Sequence, residues 1–193
     1  QRGLPYHGAD IYRIHLGTRQ VQQLTFAETP GNLSATLPPG EFIPNRGAGN
    51  WHQTPYGAYQ PNSVPGGHNY LGYGIFNLGP CPLPGGRVAF TSNRNAFVPP
   101  KSLTNPTMQL FVMDEDGQNV TPIAPMSIAS ALHPTILKDG RIMFSTSETH
   151  GLRDDRVWGL WSIYPDGRNW QPMGSAFHSG QSMHFMTQLS SGD

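Results

Sequence analysis

The stretch SALHPTILKDGRIMFSTSETHGLRDDRVWGLWSIYPDGRNWQPM, residues 130–173, decides the fold. It reads as four short strands in succession. Residues 132–137 come first and end in the turn Lys138-Asp139-Gly140. Residues 141–147 follow, with Ile142, Met143 and Phe144 at their centre. A polar loop carrying Arg153, Asp154, Asp155 and Arg156 leads to residues 158–164, and the turn Pro165-Asp166-Gly167 delivers a last strand at about residues 169–173. Apolar runs of this length bounded by Asp-Gly pairs signal antiparallel hairpins. Gly takes positive φ freely, and Asp tolerates it better than most residues. The stretch is a four-stranded meander of roughly 45 residues, the size of one β-propeller blade.

The pattern recurs. The run PGGRVAFTS at residues 84–92 matches KDGRIMFST at residues 138–146, 54 positions later. The run LFVMDEDGQNV at residues 110–120 matches LWSIYPDGRNW at residues 160–170, 50 positions later. A further copy of this second half, DIYRIHLGTRQV, occupies residues 10–21, 99 positions before residues 109–120. Self-similarity at a period near 50 is the mark of a repeat architecture and is hard to obtain by chance.

The expected fold is all-β, a partial β-propeller. Two complete four-stranded blades are expected at residues 71–124 and 130–173. Within the first, strands are expected at residues 73–83, 87–92, 109–114 and 120–124. Residues 10–26 read as the outer half of a blade. Residues 178–193 read as the inner half of another, with an innermost strand at 183–189. Two whole blades and two halves do not close a ring of the usual four to eight. Either the chain is part of a longer protein, the favoured reading, or chains complete one another's blades. Open strands carry unpaired N–H and C=O groups, so at least one of the two half blades is expected to pair outside this chain.

Residues 27–70 differ in texture, being rich in Pro, Gly, Asn and Gln with no periodic segment. So long an irregular stretch is usually functional or disordered, and its aromatics Phe42, Trp51, Tyr56, Tyr59 and Tyr70 speak against disorder. It is expected to pack across the propeller face or against a partner, with Trp51, Tyr56 and Tyr59 as candidate partner-binding residues.

Composition bounds the alternatives. A chain of 193 residues builds one sizeable core. With 23 Gly, 19 Pro and only 12% charged residues, it suits turns and irregular loops rather than a helical bundle. Lys and Arg number 12, as do Asp and Glu, so nothing draws the chain to nucleic acid or an anionic membrane surface. No apolar run approaches the length of a membrane span. A start at Gln1 without a signal peptide reads as a processed chain or a fragment. Cys81 is the single cysteine; it forms no internal disulfide and reads as a packed thiol.

Among the eight histidines no zincin-type His-Glu-x-x-His occurs. His133 lies at the entry of an innermost strand, and His178 and His184 lie at the equivalent entry of the next blade. Innermost strands line a propeller's channel, so these three are the candidate metal ligands. Imidazole suits Zn, Cu or Fe, and a divalent metal is the candidate cofactor. The plainer reading is that each histidine satisfies a local backbone group. The Asp114-Glu115-Asp116-Gly117 run could hold Ca²⁺ through its carboxylates, but it lacks EF-hand spacing and the repeat explains it as a turn. No Gly-x-Ser-x-Gly elbow supports hydrolase chemistry, and no catalytic residue is named. Trp158, Trp161 and Trp170 read as packing between blades, together with Val88, Phe90, Leu110, Val112, Ile142, Phe144, Leu160 and Ile163.

The PGGRVAFTSNR, LFVMDEDGQNV, KDGRIMFSTS and LWSIYPDGRNW runs resemble the TolB-like PD40 (WD40-like) β-propeller repeat, a D-G-R-[IV]-x-F-x-S strand pair followed by an [IL]-[WY]-x-[IM]-x-x-D-G hairpin. The resemblance covers residues 10–26 and 71–193. It implies a bacterial periplasmic or extracellular propeller used for protein–protein contacts or as a module attached to an enzyme. The His- and Pro-containing loops are also similar, more loosely, to proteins related to the hydrazine synthase alpha subunit, where a propeller accompanies c-type haem domains. The chain has no Cys-x-x-Cys-His, so it attaches no haem covalently by itself. The leading expectation is a non-catalytic scaffold that binds other protein chains or the remainder of its own protein. Its rival is the propeller portion of a metal- or c-type-haem-dependent oxidoreductase.

Overall fold

The structure, a computed structural model, describes residues 8–27, 75–95, 107–124, 130–148, 157–175 and 183–192. Among them there are strands and no helices. In chain order β1 is Gly8–Ala9, β2 Tyr12–Ile14, β3 Val21–Gln23, β4 Ile75–Leu83 and β5 Arg87–Ser92. Then come β6 Gln109–Asp114, β7 Thr121–Pro122, β8 Ser130–Ile136, β9 Ile142–Glu148, β10 Val157–Ile163 and β11 Gln171–Ser175. They form a five-stranded sheet in the order β1-β4-β5-β6-β7, a four-stranded sheet in the order β11-β10-β9-β8, and the hairpin β2-β3. All pairings are antiparallel except that of β1 with β4, which is parallel.

The sequence repeat returns as a repeat of hydrogen bonds. Leu24 N–H donates to Ile11 C=O (2.8 Å), and 99 positions on Ile123 N–H donates to Leu110 C=O (3.1 Å). Asp114 N–H donates to Gln118 C=O as Tyr164 N–H donates to Arg168 C=O, both at 2.9 Å. The Asp-Gly turns also share side-chain chemistry. Asp139 accepts from the backbone N–H (3.0 Å) and Nε (2.7 Å) of Arg141, and Asp166 does the same with Arg168 at the same distances. Those arginine bonds hold both carboxyls below their usual range. The pairs lie in water and set turn shape more than stability.

Period-two alternation explains the core. In β5 and β6, Ala89, Leu110 and Val112 point one way, while Val88, Phe90, Phe111 and Met113 point the other. The first set joins Cys81, Leu83, Ala131, Ile142, Phe144 and Ile163 in a core between the two large sheets. Trp161 and Trp170 stack at 4.4 Å against that core. The second set packs against Ile11 and Leu24 of the hairpin, with the Phe90 and Phe111 rings stacked 5.7 Å apart. A sheet covered on both faces needs apolar residues at successive positions, hence the unbroken Leu-Phe-Val-Met of β6. Burial raises the Cys81 thiol above its ordinary pKa, consistent with a packed, inert side chain.

Four expectations need correction. Residues 183–189 form no strand. They lie along β8 through side-chain bonds: Thr135 Oγ1 donates to Met186 C=O (3.0 Å) and Lys138 N–H to Gln188 Oε1 (2.8 Å), while Lys138 Nζ donates to Ser190 C=O. The turn that follows keeps the repeat's form, with Gly192 N–H donating to Leu189 C=O as Gly140 N–H does to Leu137 C=O, both at 3.0 Å. The local conformation thus persists where no ladder partner is present among the described residues. Leu160 is half-buried rather than part of the core between the sheets, because its register partner is Ser145, on the face turned away from the first sheet. Trp158 likewise leaves that core and packs against His184 instead. The first sheet has a fifth strand, β1, on the inner edge of β4, where the expected blade at residues 71–124 had only four.

Gly117 packs directly on the chain leaving the hairpin. At φ +90° its missing side chain makes room for Leu24 C=O, which a Cβ would strike. Gly117→Ala is expected to cost about 2 kcal/mol in combined strain and displacement. Amide exchange should quicken at Leu24, whose N–H holds Ile11, and stay slow at Phe144. Uniform protection in the variant would contradict the contact.

Candidate functional site

The site is built from a repeated irregularity of the innermost strands. The β4–β5 register shifts between Leu78 and Cys81, and the β8–β9 register shifts between Leu132 and Thr135. The residues skipped are Gly79-Pro80 and His133-Pro134, 54 positions apart. Each bulge therefore has the sequence Leu-x-Pro. Proline suits a bulge because it brings no N–H that would lack a ladder partner. The residue before it sits at positive φ, +60° at Gly79 and +54° at His133. Phe185 repeats this at +54° in the segment beside β8. Histidine visits this region more readily than most residues, whereas for phenylalanine it is a genuine outlier.

These bulge residues meet. Gly79 faces His133 and Pro134, where a Cβ would lie 3.3 Å from Pro134 Cδ. The His133 ring lies 3.9 Å from the Phe185 ring, centre to centre, and 5.1 Å from that of His184 at an interplanar angle of 79°. His184 in turn meets Trp158 of β10 at 4.5 Å. Burial, and then the neighbouring His184, push the His133 imidazole below its ordinary pKa range, so it is neutral at pH 7. His184 Nδ1 is buried and has no hydrogen-bond partner among the described residues. Phe185, by contrast, is 79% exposed and leaves one side of the cluster open.

Of the three histidines proposed from sequence, the structure brings His133 and His184 together; His178 lies outside the described residues. Trp51, Tyr56 and Tyr59 also lie outside them. Among the described residues no group of three or more His, Cys, Asp or Glu gathers as a metal site. The carboxylates of the Asp114–Gly117 turn are used locally. Asp116 Oδ1 accepts from Gln118 N–H (2.9 Å), Asp114 Oδ2 accepts from Asn119 Nδ2 (2.6 Å), and Glu115 pairs with Arg13 at 3.6 Å. Sequence reasoning missed Trp158 and Phe185 as neighbours of the histidines. The paired Leu-x-Pro runs were the available signal for the bulges.

A second polar centre, also missed, lies where β1 meets β4. Asp10 Oδ1 accepts from Thr25 Oγ1 (2.7 Å), Ala27 N–H (2.9 Å) and Asn77 Nδ2 (3.2 Å), and Oδ2 accepts from Gln23 Nε2 (3.2 Å). Arg94, only 1% exposed, lies over the Phe90 ring, and all three guanidinium nitrogens lack hydrogen-bond partners among the described residues. Burial pushes its pKa down to about 10, opposed by the charge of Asp10. Two shallow grooves of about 360 and 310 Å³ run along the turns of the two large sheets, both bordered by Arg87 and Asp166.

No family model and no curated protein matches the chain. A solved structure from Agrobacterium tumefaciens assigned as TolB matches its fold at a TM-score of 0.50 with 16% identity. The alignment covers 87% of this chain and 42% of that one, so the chain spans less than half the length of its structural neighbour. At that identity the likeness concerns the fold alone. Together with the all-β meanders, it makes this chain part of a β-propeller.

Proposed function

We propose that the chain is a scaffold module that binds other protein chains in an extracytoplasmic assembly. The observation that carries this reading is the hairpin β2–β3. It is open on its outer side, and Tyr12 (57%), Ile14 (49%), Leu16 (78%) and Val21 (63%) are exposed there. β2 pairs only with β3 among the described residues, so a strand edge and an apolar surface are presented together. Such an edge recruits an extended segment of a partner by strand addition, with apolar side chains supplying selectivity. The periplasmic or extracellular setting rests on the resemblance of the repeats to TolB-like propellers. The balanced charge favours protein over nucleic acid, and no helix among the described residues is long and apolar enough to cross a membrane.

A photo-reactive residue placed at Leu16 should form adducts with protein chains in an extracytoplasmic extract. Leu16→Glu with Val21→Lys should weaken that association at least about tenfold, equivalent to 1.4 kcal/mol. A chain that stays monomeric and forms no protein adduct would sink the reading. The His133–His184 pair favours a second reading, the propeller portion of a metal- or haem-dependent oxidoreductase. A Soret band retained by purified chain would support it.

A further inference from the structure

We propose that His133 and His184 bind one divalent transition-metal ion of the zinc or copper type through their ring nitrogens, with His184 Nδ1 as one ligand atom. The separation of the ring centres matches that of two imidazoles sharing one ion. With metal–nitrogen bonds of about 2.0–2.1 Å and a tetrahedral angle, the centres of two ligating imidazoles lie about 5 Å apart. The observed separation is 5.1 Å, with the planes turned by 79°. Edge-to-face stacking alone accounts for such a pair equally well, and a second observation separates the two readings. Among the described residues His184 Nδ1 is buried with no hydrogen-bond partner, a costly condition for a nitrogen that can accept a bond. A bound cation removes that cost; stacking does not.

The surroundings fit a borderline-soft ion. Among the described residues, the rings that meet the two imidazoles are those of Trp158 and Phe185. Hard ions such as Mg²⁺ and Ca²⁺ require oxygen ligands and find none in this set. His133 sits in the β8–β9 bulge at φ +54°, between ladder-paired Leu132 and Thr135, which fixes where its side chain leaves β8. Two protein ligands leave two open positions of a tetrahedral shell to water or an incoming molecule. That is the arrangement of a reactive or partner-completed site rather than a closed structural one. The inference does not depend on the scaffold reading, since the cluster lies beside β8 and away from the β2–β3 hairpin.

Calorimetric titration of the full chain with Zn²⁺ at pH 7.5 tests it. One ion per chain should bind with a dissociation constant on the order of 10 μM, and Mg²⁺ should not bind. His133→Asn, which keeps a residue tolerant of positive φ, and His184→Phe, which keeps the ring contact with Trp158, should each weaken binding at least about tenfold. In the wild-type chain, the first ring resonances to shift with Zn²⁺ should be those of His133 and His184. This holds the proposal to account even where a variant fails to fold. Binding left unchanged in both variants, shifts appearing first at other histidines such as His15, or no binding at millimolar Zn²⁺ would each overturn it.

Discussion

Phe144→Ala should lower the free energy of unfolding by about 3–5 kcal/mol, read as a fall in the urea midpoint. Phe144 is 1% exposed and lies in the core between the two large sheets, with Leu110, Val112, Ile142 and Ile163. Its neighbours come from both sheets and cannot all close on the void. β9 is held by ladders on both sides, so the backbone cannot follow. A domain is stable by only about 5–15 kcal/mol, so the variant should be substantially unfolded at 37 °C. A loss below about 1 kcal/mol would mean that the two sheets do not share this core.

Asp10→Ala should cost about 3 kcal/mol by the same measurement. Its carboxylate takes hydrogen bonds from Thr25, Ala27, Asn77 and Gln23, and two of those donor residues, Thr25 (1%) and Asn77 (2%), are shut off from water. Truncation strands the Thr25 hydroxyl and the Ala27 N–H, while Asn77 and Gln23 keep their bonds to Ala9 C=O and Thr25 C=O, and it removes the charge that offsets burial of Arg94. Asp10→Asn should fall between, keeping an acceptor while losing the charge. Arg94→Met alone should change stability little, because among the described residues the guanidinium has no hydrogen bond to lose. Combined with Asp10→Ala it should restore part of the loss. A double-mutant cycle that is strictly additive would show that the two groups are not coupled.

Both effects bear on the proposed binding surface. Asp10 ties the hairpin to β4 through Asn77, which also donates to Ala9 C=O at 3.0 Å. Loosening that tie should free the β2–β3 edge. Association through Leu16 should then weaken together with the stability of Asp10→Ala.

What the sequence alone determined was the strand order and the repeat. Turns such as Asp139-Gly140 and Asp166-Gly167, and the alternation in β5, β6, β9 and β10, are local properties. Neighbouring residues specify them whatever lies across the sheet, and they recur at fixed offsets. The contact of His133 with His184, the crossing of Gly117 over Leu24 and the network of Asp10 with Asn77 join residues 51, 93 and 67 positions apart. Nothing in one strand records which face of another will meet it. Leu160 shows the limit most plainly. The repeat aligned it with Leu110, yet the fold buries Leu110 and leaves Leu160 half-buried. Among the described residues the first sheet carries an apolar cluster on each face, whereas the apolar cluster of the second lies toward the first. Equal sequence positions therefore met unequal surroundings, and only the packing of one sheet on the next decided which side chains are core and which remain open to a partner.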